Sequence, residues 1–316
     1  MPVSSSIHLT QCLAKIRALR PKSVLDVGCG FGLWGFLCRM HLDVWDGRIH
    51  PGQWRTRIDG IELFEPYIQA HQRALYSNLI LADVRDVADT LDDYELIIAG
   101  DVIEHLEKKE GEAVLEKLYA RATRALLINI PIGPGWDHPE QYGNPGELHR
   151  SQWECSDFLN YPCEITLARF EFGDYGTFYC PKAPPAAGHA QSWRTAAEWA
   201  ESRGNLQEAL RCARQAHHLE PGDATNALLL ADLALKQDLK GEVIDVLQAF
   251  LAYCPDNPST RYLLAHVLHM AHRPVEACQE VMKLLAAPDV DPATREKTRQ
   301  LAGRLGMENV DGPEWR

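Results

Sequence analysis

The sequence predicts an α/β domain built on a doubly wound, Rossmann-like seven-stranded sheet with an antiparallel last strand, followed by an all-α domain of helical repeats. Three observations predict it. Over the first 180 residues short apolar runs alternate with amphipathic stretches, which implies a largely parallel sheet with helices on both faces. The first of those runs leads into the glycine-rich stretch Val24-Leu-Asp-Val-Gly-Cys-Gly-Phe-Gly32. Beyond a proline-rich break the strand-like runs stop, and proline recurs at Pro221, Pro255 and Pro288, at intervals of 34 and 33 residues. That interval is the period of a helix-turn-helix repeat.

Taken in order, the strands are expected at Ser23–Val27, Asp59–Leu63, Leu79–Ala82, Leu96–Ala99 and Leu126–Ile130. Helical patterns fall between and after them at about Leu33–Met40, Pro66–Tyr76, Lys108–Ala122 and Ser151–Asn160. Two further strands, Glu164–Phe170 and Gly176–Tyr179, are separated by only a few residues, among them Gly173 and Asp174. That is too short for a parallel crossover and predicts an antiparallel hairpin at the end of the sheet. His41–Thr56 reads as an inserted segment. Residues 1–180 form the first domain. Residues 181–189, with Pro181, Pro184 and Pro185, form a linker. Residues 190–316 form the repeat domain, resolved as three units and a capping helix at Asp291–Leu305. Small or apolar residues mark the packing positions: Trp193, Ala197, Gly204 and Ala209, then Ala231 and Ala234, then Leu264, Ala265 and Ala277. Gly204 falls in an inter-helix turn, where positive φ is cheap for glycine.

Composition narrows the function. The net charge of −12 disfavours a sequence-independent grip on nucleic acid, whose phosphates need a basic surface. No signal peptide and no membrane span is expected, because no stretch of about 18 apolar residues occurs. The nine cysteines include no C-x-x-C pair and are odd in number. They read as buried free thiols in a reducing cytoplasm, not as a disulfide framework or a zinc ribbon.

The glycine stretch carries the chemistry. A strand leads into Gly28, Gly30 and Gly32, and glycines allow a tight turn and close backbone approach to a ligand. The spacing is G-x-G-x-G, not the G-x-G-x-x-G of dinucleotide folds. Asp26 stands just before the glycines, where a carboxylate repels a pyrophosphate and suits a cationic amino group. Here the chain resembles the class I S-adenosylmethionine-dependent methyltransferases, over about residues 20–180. The resemblance implies that the loop cradles the methionine part of S-adenosyl-L-methionine while Asp26 helps to hold its ammonium. It also implies that Glu62 accepts hydrogen bonds from the ribose hydroxyls, Leu63 packs on adenine and Asp83 binds the adenine amino group. Asp101, in Asp101-Val-Ile-Glu104-His105-Leu, is placed near the sulfonium or the acceptor. Asp59 is the weaker ribose candidate because it starts its run. Glu62 lies further from the glycines than the usual ~20 residues, which the insertion explains. The nucleic-acid amine methyltransferases of this class carry an Asn/Asp-Pro-Pro-Tyr/Phe stretch where this chain has Asp101-Val-Ile-Glu, so the resemblance makes DNA or RNA base amines poor candidates as acceptors.

The segment Ile130–Trp153 follows the fifth strand and should overhang the crevice as a lid. It resembles the Tyr-Gly-Asn-Pro…Glu…His…Trp loop of a bacterial methyltransferase subgroup linked to surface-glycan or natural-product chemistry. Histidine is the natural base near neutral pH, and His105 and His149 are the candidates, with His138 behind them. His105 also reads as a residue that caps or packs the helix that follows. Asp137, His138, Glu140, Glu147 and His149 show no recognised metal-ligand spacing, so no metal is expected there. His266, His269 and His272 read as a helix stripe without a job. The favoured function is methyl transfer to a hydroxyl or carboxyl of a small molecule, sugar or peptide, in the cytoplasm, with the repeat groove holding a peptide or protein partner. The competing reading is a protein-interaction scaffold with a vestigial or regulatory cofactor domain. Turnover of the cofactor separates the two.

Overall fold

The structure, a computed structural model, describes residues 4–171, 173–183 and 186–307, with backbone only at 186 and 187. It divides into two compact units, Met1–Gly188 and His189–Arg316.

The first unit holds α1 (Leu9–Leu19), β1 (Ser23–Val27), α2 (Leu33–Leu42), β2 (Arg57–Glu62), α3 (Ala70–Leu75), β3 (Asn78–Leu81), α4 (Val84–Val87), β4 (Tyr94–Gly100), α5 (Lys108–Arg121), β5 (Ala122–Ile132), β6 (Glu164–Phe170) and β7 (Gly173–Pro181). The strands form one seven-stranded sheet in the order β3-β2-β1-β4-β5-β7-β6. The first five are parallel, and β7 runs antiparallel to both β5 and β6. The central strands are covered on both faces, so they read as continuous apolar runs. On one face Cys12 and Ile16 of α1 and Trp34 and Cys38 of α2 pack on Val24, Ile58, Leu96, Ile98 and Leu127. Strand order reverses between β1 and β4, and a crevice opens there beyond the strands' carboxyl ends.

The segment between α2 and β2 contains two 3₁₀ turns, Val44–Asp46 and Pro51–Gln53. A buried ion pair secures it: the Arg39 guanidinium donates to Asp43 Oδ2 at 2.5 Å and to the Thr56 and Leu75 carbonyls. Asp43 also accepts from Arg48 Nε and the Arg55 backbone N–H. Such a pair is tolerated because each member has several further hydrogen-bond partners.

Three expectations are corrected. Ser151–Asn160 is not a helix; only Cys155–Phe158 forms a short 3₁₀ turn. The chain there is held by tertiary contacts: the Arg150 and Ser151 N–H groups both donate to the Glu104 carbonyl, at 2.8 and 3.1 Å. The Trp153 indole is buried against Gly111, where a Cβ would lie 2.7 Å from the ring. Pro66–Tyr76 divides into a 3₁₀ turn at Glu65–Tyr67 and the shorter α3. Cys163 and Cys180 form a disulfide. The hairpin register pairs Glu164 with Tyr179 and so brings the flanking cysteines together across strands, a proximity that spacing along the chain does not reveal. The other seven cysteines are not in disulfides, and five of them are buried. Helices α1 and α4 were not anticipated.

The second unit comprises α6 (Ala186–Ser202), α7 (Leu206–Leu219), α8 (Ala224–Lys236), α9 (Lys240–Tyr253), α10 (Pro258–Met270), α11 (Pro274–Ala286) and α12 (Pro292–Arg304). Helices α7, α9 and α11 start 34 residues apart, as do α8, α10 and α12. The caps repeat as well: Asp223, Asn257 and Asp291 each accept a hydrogen bond from a first-turn N–H. Ala197, Ala209, Ala231, Ala234, Ala265 and Ala277 are all buried, which lets consecutive helices approach closely. Leu301 and Ala302 of α12 pack on Ala265, Val281 and Leu285 and close the array. Pro184 and Pro185 of the expected linker lie outside the described residues. His272 is not on α10 but in the turn after it, so the three histidines do not share one helix. No helix among the described residues is long and apolar enough to cross a membrane.

The turn inside each repeat holds one residue in the left-handed region: Gly204 at φ 78°, Asp238 at 58° and His272 at 57°. A side chain there costs roughly 1–2 kcal/mol, against roughly 0.5–1 kcal/mol for the extra unfolded-state freedom of glycine. Because His272 is exposed, His272→Gly is expected to stabilise the chain by about 0.5–1 kcal/mol in urea unfolding, and His272→Ala is expected to give no gain.

Candidate functional site

The turn leaving β1 forms the floor of the crevice. Gly28, Gly30 and Gly32 all have positive φ. At Gly28 a Cβ would also come within 2.4 Å of Val102 Cγ2, just past β4, so both conformation and space demand glycine. The Gly30 N–H donates to Glu62 Oε2 at 2.8 Å, and the Phe64 N–H donates to Glu62 Oε1 at 2.8 Å. The Gln72 side-chain amide donates to the Gly30 carbonyl at 2.7 Å. Burial pushes the Glu62 carboxyl above the ordinary range.

Asp26 lies under this turn. Its Oδ2 accepts from Tyr76 Oη at 2.5 Å and from the Gly35 N–H at 3.2 Å. Its Oδ1 is buried and has no partner among the described residues. Burial pushes its pKa up to about 7.

Above the turn is a cavity of about 510 Å³, lined by Gly28, Gly30, Glu62, Leu63, Asp83, Asp101 and His105 among others. Seven of the ten positions singled out from the sequence thus share one wall. Asp26 and Gly32 do not line it, and His149 lines a neighbouring cavity. Leu63 is 55% exposed and offers an apolar side chain to a ligand. Asp83 caps α4 through the Arg85 N–H and pairs with the Arg85 guanidinium, which holds its carboxyl below the usual range. Asp101 adopts φ 54°. Both its oxygens accept from Tyr175 Oη, at 3.0 and 2.8 Å, and Oδ2 also accepts from the Ser5 N–H. Burial pushes Asp101 up to about 6.

The segment after β5 overhangs this cavity: Asn144, Pro145, Gly146, Glu147 and Arg150 also line it. Tyr67 Oη donates to Glu147 Oε1 at 2.9 Å. His149 Nδ1 lies 2.6 Å from the Trp136 carbonyl and His105 Nδ1 lies 3.3 Å from the Leu148 carbonyl. A carbonyl only accepts, so each Nδ1 carries the proton and each Nε2 keeps its lone pair. The two rings meet edge to face at 4.9 Å, and His138 stacks on His149 at 5.1 Å. Burial, with His149 adding to it, lowers His105 to about 4. Burial also lowers His149.

Glu104 is 2% exposed, and neither carboxylate oxygen has a partner among the described residues. Burial, reinforced by Asp101, raises its carboxyl well above the usual range. It lines a second cavity of about 390 Å³ together with Trp136, Asp137, His149 and Arg150. Sequence reasoning did not single out Tyr67, Tyr76 or Tyr175, whose hydroxyls hold Glu147, Asp26 and Asp101. It took Glu104 only as part of a turn. None of the three tyrosines stands in a motif, and only the fold brings them to the acids.

No family model matches the sequence, and no curated protein matches it significantly. Solved structures do resemble the chain. Magnesium protoporphyrin IX methyltransferase from Synechocystis PCC 6803 with bound SAH is 19% identical with a TM-score of 0.39, over 55% of this chain and 82% of the other. TehB from Haemophilus influenzae is 14% identical with a TM-score of 0.41, over 57% of this chain and 64% of the other. N-methyltransferase NodS from Bradyrhizobium japonicum is 13% identical with a TM-score of 0.39, over 57% of this chain and 99% of the other.

Proposed function

We propose that the first unit binds S-adenosyl-L-methionine in the larger cavity and methylates a hydroxyl or carboxyl of a small molecule, sugar or peptide. The observation that carries this is the Glu62 carboxylate at the cavity wall. Each of its oxygens accepts one backbone N–H, and each keeps a further acceptor site for the two hydroxyls of a ribose. The donor set fits the rest of the cofactor. Asp26 and Glu62, which are buried, and the half-buried Asp101 surround a glycine cradle, and they suit a ligand bearing an ammonium and a sulfonium. A pyrophosphate would meet repulsion from the same groups. The orphan Asp26 Oδ1 adds negative charge beneath the cradle, Leu63 offers an apolar face for adenine and Asp83 an acceptor for its amino group.

When bound, the cofactor supplies an electrophilic methyl group. The chain's own residues orient the partners, exclude water and move a proton. The lid segment around Asn144–Arg150 shields the cavity. A neutral imidazole, His149 or His105, takes the acceptor's proton at Nε2, since Nδ1–H is committed to a carbonyl. Asp101 lines the same cavity and accepts from Tyr175 Oη, and its carboxylate favours the cationic end of the cofactor. For the second unit, the 34-residue period supports tetratricopeptide-type repeats whose groove takes a partner or a substrate protein.

Calorimetric titration of the full chain with S-adenosylhomocysteine tests the cofactor assignment. Uptake by the wild type and a loss of 100-fold or more in affinity for Glu62→Ala are expected, from about 3 kcal/mol of charge-assisted hydrogen bonding. Tight binding of a dinucleotide with no uptake of the nucleoside overturns the assignment. Burial keeps both imidazoles neutral to lower pH than a free histidine, whose pKa is about 6.5. The acid limb of kcat/KM should therefore have its midpoint below that value. His149→Gln should lower kcat by about 10²- to 10⁴-fold with S-adenosylhomocysteine affinity unchanged; a variant that keeps full turnover removes His149 as the base.

A further inference from the structure

We propose that Glu104, His105 and His149 form a binding site for a divalent first-row transition metal of the zinc class. One donor atom from each residue lies within 4.8 Å of the others. The three residues come from the turn after β4 and from the lid, so no ligand spacing along the sequence announces them. Two independent features point to an ion. First, Glu104 is buried with both carboxylate oxygens unpartnered among the described residues, and a buried carboxylate without a partner calls for neutralisation or a cation. Second, both imidazoles are already oriented as metal-bound histidines are: each Nδ1–H donates to a backbone carbonyl, of Leu148 and of Trp136. That fixes the tautomer and leaves Nε2 as the ligand atom.

The chemistry of the donor set selects the ion. Two imidazoles and one carboxylate suit zinc, cobalt, manganese or iron, whereas magnesium and calcium prefer oxygen alone. Three protein ligands leave an open position, as in catalytic zinc sites. Ligand bonds of about 2.0–2.1 Å need donor atoms roughly 3.3 Å apart in a tetrahedral site, so the side chains close by about 1 Å on the ion. His105 lines the larger cavity, while Glu104 and His149 line the smaller one. The open position therefore lies where the two cavities adjoin. It takes an oxygen donor; on the methyl-transfer reading that donor is the acceptor's hydroxyl, which the ion makes more acidic so that its proton passes to solvent water, or the acceptor's carboxylate, which the ion only orients. With the ion bound, the Nε2 lone pairs serve as ligands and no longer as bases.

The test uses the full chain, stripped with a chelator and dialysed. Zn²⁺ is titrated by calorimetry, and Co²⁺ by its visible absorption. One equivalent is expected, with the d–d bands of a four- or five-coordinate nitrogen and oxygen site. Glu104→Gln and His149→Gln are each expected to weaken binding by about 100-fold or more, beyond the loss typical of outer-shell changes. His266→Gln, in the helical unit, is expected to bind as the wild type does. Circular dichroism and thermal unfolding show that each variant is folded. Absence of saturable uptake, undiminished uptake in both variants, or a thiolate-to-cobalt charge-transfer band overturns the site. Uptake of S-adenosylhomocysteine by the stripped protein tests the nucleoside reading separately, so either reading can fail alone.

Discussion

One contact organises the first unit: the Gly30 N–H donating to the Glu62 carboxylate. The turn after β1 contains three glycines in the left-handed region, a conformation that glycine tolerates but does not by itself favour over others. A carboxylate from the end of the next strand selects it. The selection works because β1 and β2 are adjacent and parallel, with Val27 level with Ile61, so Glu62 arrives beside the loop. Gln72, just after the start of α3, then holds the Gly30 carbonyl, and Tyr76 at the end of α3 reaches Asp26. Strand register, turn shape and the placement of α3 are thus one constraint, and the cavity above the turn is its consequence.

The second regularity is electrostatic. Away from the crevice Asp43 pairs with Arg39 and Asp59 with Arg57, and at the crevice Asp83 pairs with Arg85. Around the crevice, Asp26, Glu62, Asp101 and Glu104 are buried or nearly so, and among the described residues they form no ion pair with lysine or arginine. Three of them are held by hydroxyls and backbone N–H groups, which stabilise a carboxylate without cancelling its charge. Burial raises the pKa of all four. Bringing several such groups together costs free energy, and a cationic ligand offsets that cost. The arrangement therefore argues for the sign of what binds here more strongly than any single residue does.

What the sequence made legible was what depends on neighbours along the chain. The acids at or near the strand ends, Asp26, Glu62, Asp83 and Asp101, could be read because a buried parallel strand is a short apolar run, and its carboxyl end is where polar residues gather. The repeat could be read because proline and alanine recur at its period. What failed depended on distant partners. Ser151–Asn160 carries a helical pattern, but two of its first N–H or adjoining groups are captured by the Glu104 carbonyl and Trp153 is drawn against Gly111, so tertiary contacts overrule propensity. Cys163 and Cys180 meet only through a hairpin register. Tyr76 and Tyr175 reach Asp26 and Asp101 across 50 and 74 positions, and no local pattern encodes such a pairing.

The turn after β4 ties the segment after β5 to the walls of both cavities. The Glu104 carbonyl accepts from Arg150 and Ser151, and the His105 ring donates to the Leu148 carbonyl. Residues 148–151 are therefore fastened to the same two residues whose side chains border the cavities. Moving this part of the lid outward breaks the bond that fixes the His105 tautomer, and it carries His149 away from His105 and Glu104. The lid cannot open at this point while the site stays assembled. Its hydrogen bonds to the β4 turn make enclosure of the cavity and assembly of the Glu104, His105 and His149 group a single event, so a ligand that favours the closed lid also favours the assembled group.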